Sequence, residues 1–171
     1  VLTKKGLMMK IGILSDTHDQ LERTSEAVSA LIRAGAEILI HCGDITEPAI
    51  VLECAGLPTT YVFGNNDNDH DKLLRTILGV GGVCLGKGGT IELEGRTIAV
   101  THGDSNREIS RLAGSNPDYF LSGHTHCAED ERRGLTRWIN PGALHRAKPW
   151  SVAVLDLATD HLEFLTVGNR R

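Results

Sequence analysis

The chain has 171 residues, 40% of them hydrophobic, and a formal charge of -4 at pH 7. That length supports one well-buried core and would leave two independent domains short of buried surface, so a single domain over 9–167 is expected, with short tails at 1–8 and 168–171. The mild acidity offers no field to gather polyanions, which argues against nucleic acid as a partner.

No run approaches the roughly 20 apolar residues of a membrane span, and the opening residues lack the apolar stretch of about 7 to 15 that an export signal needs. The reading is therefore a cytoplasmic protein without membrane association, whose start is Met8 or Met9. Cys42, Cys54, Cys84 and Cys127 form no CxxC pair and read as reduced thiols rather than a disulfide framework.

In chain order, 10–15, 38–42 and 59–63 are short Ile, Leu and Val runs of the kind that forms strands buried on both faces. Between the first two, Leu21, Val28, Leu31 and Ile32 recur at helical spacing and Gly35 stands where the helix stops, giving a βαβ unit. Helices are predicted over 47–55, with Pro48 in the first turn, and over 69–78. Strands at 90–93 and 96–101 flank Glu94-Gly95, a two-residue connection that suggests a hairpin. The glycine-rich piece 79–89 before them is the loosest stretch. A helix over 107–113, a strand at 119–122 and tail strands at 135–140, 151–156 and 161–167 complete an α/β sandwich, in which an early βαβ half meets a later strand-rich half.

Five polar clusters close apolar runs along this order: Ser15-Asp16-Thr17-His18, Gly43-Asp44, Gly64-Asn65-Asn66-Asp67, Thr101-His102-Gly103-Asp104 and Gly123-His124-Thr125-His126. Loops at the carboxyl ends of strands are where ligands collect in open α/β folds. Taken alone, Asp16 or Asp44 reads as a turn former, and Asn65 as a turn residue after Gly64. Taken together, the clusters supply the carboxylates that neutralise divalent ions and the imidazoles that complete their shells. The spacing of Asp16 with His18, and of His124 with His126, places both side chains on one side of an extended chain.

This pattern resembles the calcineurin-like metallophosphoesterase superfamily and, within it, the small bacterial and archaeal branch of single-domain phosphodiesterases. The resemblance runs over 10–167 and rests on D-x-H, GD, GN-x-[ED], H and GHxH in order. It implies a four-layer α/β sandwich, with two mixed sheets flanked by helices, around two divalent ions, with manganese first and iron, nickel or zinc as alternatives. It also implies one ion held by Asp16, His18 and His126, the other by Asn65, His102 and His124, and Asp44 bridging both. Asn140-Pro141-Gly142 resembles an element near the site in this branch and otherwise reads as a tight turn.

Where monoesterase relatives carry a His after the metal-binding Asn, this chain has Asn66, followed by Asp67 in the acidic position. An amide donates a hydrogen bond but supplies no proton at neutral pH. Asn66 and Asp67 are the catalytic candidates, and the expected reaction is hydrolysis of a small phosphodiester by a hydroxide bridging the two ions. A phosphomonoesterase, a nucleotide pyrophosphatase or a non-catalytic scaffold like the retromer subunit are the rival readings. His41 is expected to support the site, and His70, His145 and His161 to lie in loops or on the surface. Arg132, Arg133, Arg137, Arg146 and Lys148 form a basic region that either meets substrate phosphate or is a solvated face.

Overall fold

The computed structural model describes residues 9–168. The expected tail over 1–8, and all of 168–171 beyond Gly168, lie outside them.

Four strands, β1 (Lys10–Leu14), β2 (Ile38–His41), β3 (Thr59–Tyr61) and β4 (Val83–Cys84), run parallel and are joined by α1 (Leu21–Arg33), α2 (Pro48–Cys54) and α3 (His70–Gly79). Apolar residues on both sides of these strands explain the burial. In β2, Leu39 packs with the helices while Ile38 and Ile40 pack toward the second sheet, the alternation of a pleated strand covered on two faces. Gly12 in β1 keeps the helix side close, since a Cβ there would lie 2.7 Å from Leu39 and 3.2 Å from Leu31. The predicted stripe on α1 is partly corrected. Thr24, Ala27, Val28 and Leu31 are buried, whereas Leu21 and Ile32 are 42% and 46% exposed.

The second sheet holds β5 (Gly88–Leu93), β6 (Arg96–Thr101), β7 (Tyr119–Leu121), β8 (Ala128–Arg133) and β9 (Thr136–Pro141), in the order β5-β6-β7-β9-β8. Glu94 and Gly95 form the predicted hairpin turn, with φ of 50° and 72°; a type I′ turn needs both positive. Ser105 caps α4 (Asn106–Ala113), accepting from the Glu108 amide, and α4 covers Ala99 and Phe120 on the outer face of this sheet. The layers are thus helices, sheet, sheet, helix, with one core between the sheets and one under each helical layer.

Two features differ from the sequence reading. The last strands, β10 (Trp150–Asp156) and β11 (His161–Val167), do not extend the later sheet. They return to the first one, β10 antiparallel to β1, giving the order β11-β10-β1-β2-β3-β4. Strands β4 and β8 were not anticipated. The first is two residues inside the glycine-rich stretch, and the second is an edge strand of sequence AEDERR with every residue exposed, the charged composition that guards a sheet edge. Among the described residues no helix is long and apolar enough to cross a membrane.

Candidate metal centre

The five clusters meet at the carboxyl ends of β1, β2, β3, β6 and β7. Backbone bonds lace their loops together: the Asp16 amide donates to the Gly43 carbonyl at 3.0 Å, the His18 amide to the Asp44 carbonyl at 2.9 Å, and the Gly123 amide to the His102 carbonyl at 2.9 Å. Contrary to the expectation from their spacing, neither Asp16 and His18 nor His124 and His126 lie on extended chain. Asp16, His18, Asp44, His124 and His126 all have φ between 46° and 69°. A left-handed conformation costs a residue with a side chain about 1–3 kcal/mol, so the fold concentrates strain on the candidate ligands.

Two groups of ligand atoms lie within 4.8 Å of one another: Asp16, His18 and His126, and Asp16, Asp44 and His102. Asp16 Oδ1 is 3.1 Å from His126 Nε2 and 3.9 Å from His102 Nε2. Asp44 Oδ2 stands 3.5 Å from His18 Nε2 and 3.4 Å from His102 Nε2. Asn65 Oδ1 is 3.1 Å from His102 Nε2. The His124 ring stands 5.1 Å from that of His102, while the His124 amide donates to Asp16 Oδ2 at 3.0 Å. Asp16, Asp44 and His102 are buried, whereas Asn65 and His124 are exposed, so the cluster has a closed floor and an open mouth.

These residues fit divalent ions on three grounds. Asp16 Oδ1 and His18 Nε2 are buried and have no hydrogen-bond partner among the described residues, a costly condition unless a ligand satisfies them. Among the described residues, the buried Asp16 and Asp44 form ion pairs only with imidazoles. Burial works against charge on His102, but Asp44 and Asp16 outweigh it and hold the imidazole up to about 9; the two carboxylates call for positive charge. Finally, His102 Nδ1 is 2.8 Å from the Cys42 carbonyl. That contact keeps a proton on Nδ1 and aims Nε2 at the carboxylates, where a bound ion would take the place of its proton.

Supporting groups set this geometry. The ring of His41 is buried and driven down to about 3, first by burial and then by His102, so it is neutral. Its Nδ1 accepts from the Gly43 amide at 3.2 Å, which leaves Nε2–H to donate to Thr17 Oγ1 at 3.0 Å. Asn140 Nδ2 donates to the Gly123 carbonyl at 2.9 Å and Thr125 Oγ1 at 3.0 Å, so Asn140-Pro141-Gly142 anchors the last cluster as well as turning the chain.

Asn66 donates from its backbone N to Asp44 Oδ1 at 2.9 Å and from Nδ2 to Oδ2 at 2.8 Å. Asp67 does something different from what its place in the motif suggested. Its Oδ2 accepts from the amides of Gly64 at 2.7 Å and Asp44 at 3.0 Å, and its Oδ1 accepts from that of Thr46 at 2.7 Å. Both oxygens are committed to backbone, and Asp67 is buried.

His145 lies in the loop between β9 and β10, as read from the sequence, but that loop brings it to the ligand cluster. Its ring lies 4.3 Å from that of His18 and 6.4 Å from that of His126. His70 stacks on Phe63 at 4.3 Å. Most of the basic region is spent in ion pairs at the edge of the second sheet, Arg132 and Arg137 with Asp160, Arg137 also with Asp130, and Arg133 with Glu131.

Close approach of the loops makes Gly123 irreplaceable. A Cβ there would lie 1.9 Å from Ser15 Oγ and 2.6 Å from Asp16 Oδ2, distances no side chain tolerates. Gly123→Ala is expected to displace Asp16 and lower manganese affinity at least about 10-fold, measured by calorimetry. Gly56→Ala, where nothing lies within 4 Å among the described residues, is the matched control. Equal affinity in the two variants would show that the loop contact does not set the centre.

The layered fold and this cluster of carboxylates and imidazoles define a metal-dependent phosphoester hydrolase. The chain belongs to the calcineurin-like phosphoesterase superfamily, whose domain matches residues 9–160, and the family implies divalent metal ions. It is 30% identical over 138 residues to a phosphodiesterase of Methanocaldococcus jannaschii, covering 78% of this chain and 83% of that one. It is 31% identical over 166 residues to a probable metallophosphoesterase of Methanothermobacter thermautotrophicus, covering 91% and 90%. A solved archaeal phosphodiesterase superposes with a TM-score of 0.85 at 25% identity, over 92% of this chain and 99% of the other.

Proposed function

We propose that this protein hydrolyses small phosphodiesters with two divalent ions, manganese first among them. Asp16, His18 and His126 would hold one, Asn65, His102 and His124 the other, and Asp44 would be shared. The observation that carries the reading is Asp44 Oδ2, a single oxygen set 3.5 Å from His18 Nε2 and 3.4 Å from His102 Nε2, one imidazole from each set. When bound, the ions supply the Lewis acidity that activates water and neutralises phosphate oxygens. The chain's own part is to hold the ligands. Asn66 fixes the Asp44 carboxylate through two hydrogen bonds, and Asp67 is a positioning residue that pins the loops of Asp44 and Gly64. The four cysteines are all free, which supports a reducing cytoplasmic setting.

With an amide at position 66, diesters with readily departing groups suffer least from the missing proton donor, and a monoester's extra charge needs stabilisation from elsewhere. The expected result is two manganese ions per chain by metal analysis and faster cleavage of a bis-nitrophenyl diester than of nitrophenyl phosphate. Asn66→His should shift that preference toward the monoester, by up to roughly 100-fold. At most one ion per chain in excess manganese would overturn the paired site. A wild-type preference for the monoester would overturn the reaction class, and a protein that neither binds metal nor hydrolyses either ester would be a scaffold.

A further inference from the structure

Beside the ligand cluster lies a cleft of about 570 Å³, lined by Thr46, Pro48, Asn66 and Lys72 around the starts of α2 and α3, and by His18 and His145 from the loops after β1 and β9. Its size is that of a pocket for a nucleoside-sized organic group. The donors around it are unequally available. Asn66 Nδ2 is committed to Asp44 Oδ2 at 2.8 Å. Lys72 leans toward Glu47 at 3.9 Å on the outer rim, both side chains more than half exposed.

Thr46 Oγ1 and His18 Nε2 have no hydrogen-bond partner among the described residues, but both atoms are buried, and His18 belongs to the ligand set; His145 is the uncommitted donor set between the ligand cluster and the cleft. Its ring lies 4.3 Å from that of His18, and it makes no hydrogen bond from either nitrogen among the described residues. The backbone before it is fixed. Leu144 is fully buried, its amide donates to the Asp16 carbonyl at 3.3 Å, and its carbonyl accepts from the Arg23 guanidinium. An uncommitted imidazole is thus held at the boundary between the ligand cluster and the cleft.

We infer that the alcohol half of the diester sits in this cleft and that His145 donates a hydrogen bond to the departing oxygen. The inference rests on the diesterase reading above. As a water oxygen bonds to phosphorus and the P–O bond to the alcohol breaks, the electron pair of the broken bond stays on the alcohol oxygen, and a fixed N–H lowers the cost of the charge that builds there. No bond to His145 forms, and the released alkoxide takes its proton from water. The benefit therefore depends on how poorly the alcohol leaves: small for a nitrophenolate, large for an alkoxide.

The test uses the full chain loaded with manganese and a series of diesters with one constant non-leaving group and leaving groups from nitrophenol through phenol to trifluoroethanol. Wild type, His145→Ala and His145→Asn are compared by kcat/KM, with bound metal counted in each. The loss in His145→Ala should grow along the series, to about 100-fold at the poorest leaving group, with two ions retained. His145→Asn, which keeps an N–H donor, should recover part of it. A loss that is constant along the series, or that follows a loss of metal, would overturn the inference and make His145 a packing support for His18. Wild type that cleaves no member of the series would instead overturn the diesterase reading itself.

Discussion

Asp44→Asn is expected to remove nearly all hydrolysis and to reduce metal binding while the fold persists. Asp44 is 1% exposed, and burial alone would favour its neutral form. The His102 imidazole and the two Asn66 hydrogen bonds outweigh burial and hold the carboxyl well below the usual carboxylate range. An amide at this position fails in two ways. It carries no charge for the ions, and if its NH2 occupies the Oδ2 position it faces the Asn66 Nδ2 donor. Loss of a group that merely orients a ligand typically costs 10- to 100-fold in metal affinity or activity, and a shared carboxylate should cost more than the upper end of that range. The Asp44 backbone amide still donates to Asp67, so circular dichroism should match wild type. Turnover and metal content equal to wild type would show that Asp44 is not the shared ligand.

How far the sequence reveals this molecule depends on whether a feature is written locally. Strands β1, β2 and β3 were legible because each is a short apolar run closed by a polar cluster, and the hairpin because only two residues, one of them Gly95, separate two strand-like runs. Strand β8 was hidden: AEDERR has neither alternation nor β-branched residues, and its pairing with β9 alone makes it a strand. The return of β10 to lie against β1 is a long-range choice that no local pattern records.

That return is also why His145 read only as a loop or surface residue and not as a neighbour of His18. It sits in the connection between β9 and β10, and only the crossing from one sheet to the other carries it to His18. The signal that could have found it is the adjacency of His145 to Asn140-Pro141-Gly142, an element already tied to the site by resemblance. The ligand set itself was legible as residue types in order. Its geometry was not, because an extended strand and a pair of left-handed residues on either side of a threonine give the same spacing in sequence.

Asp67→Ala should have the largest effect on stability of any single change at the site. The carboxylate is 3% exposed and is the acceptor for three amides, those of Thr46, Gly64 and Asp44. Each buried donor left without a partner costs about 1–3 kcal/mol. Allowing for relaxation, a loss of about 3–5 kcal/mol follows. Two of the three amides belong to residues in the left-handed region, Asp44 at φ 56° and Thr46 at φ 64°. For a β-branched residue such as Thr46 that conformation is held only by its surroundings, so removing Asp67 frees both to relax. At 2–4 °C per kcal/mol for a chain of this size, the melting temperature should fall by about 10 °C. Asp67→Asn should fall between, since one oxygen can still accept while its NH2 faces an amide donor. Because ions that bind only the folded state stabilise it by mass action, and the displaced Asp44 weakens their site, excess manganese should stabilise Asp67→Ala less than wild type. A variant that melted with wild type, gained as much from manganese and had lost activity alone would place Asp67 at the substrate rather than beneath the loops.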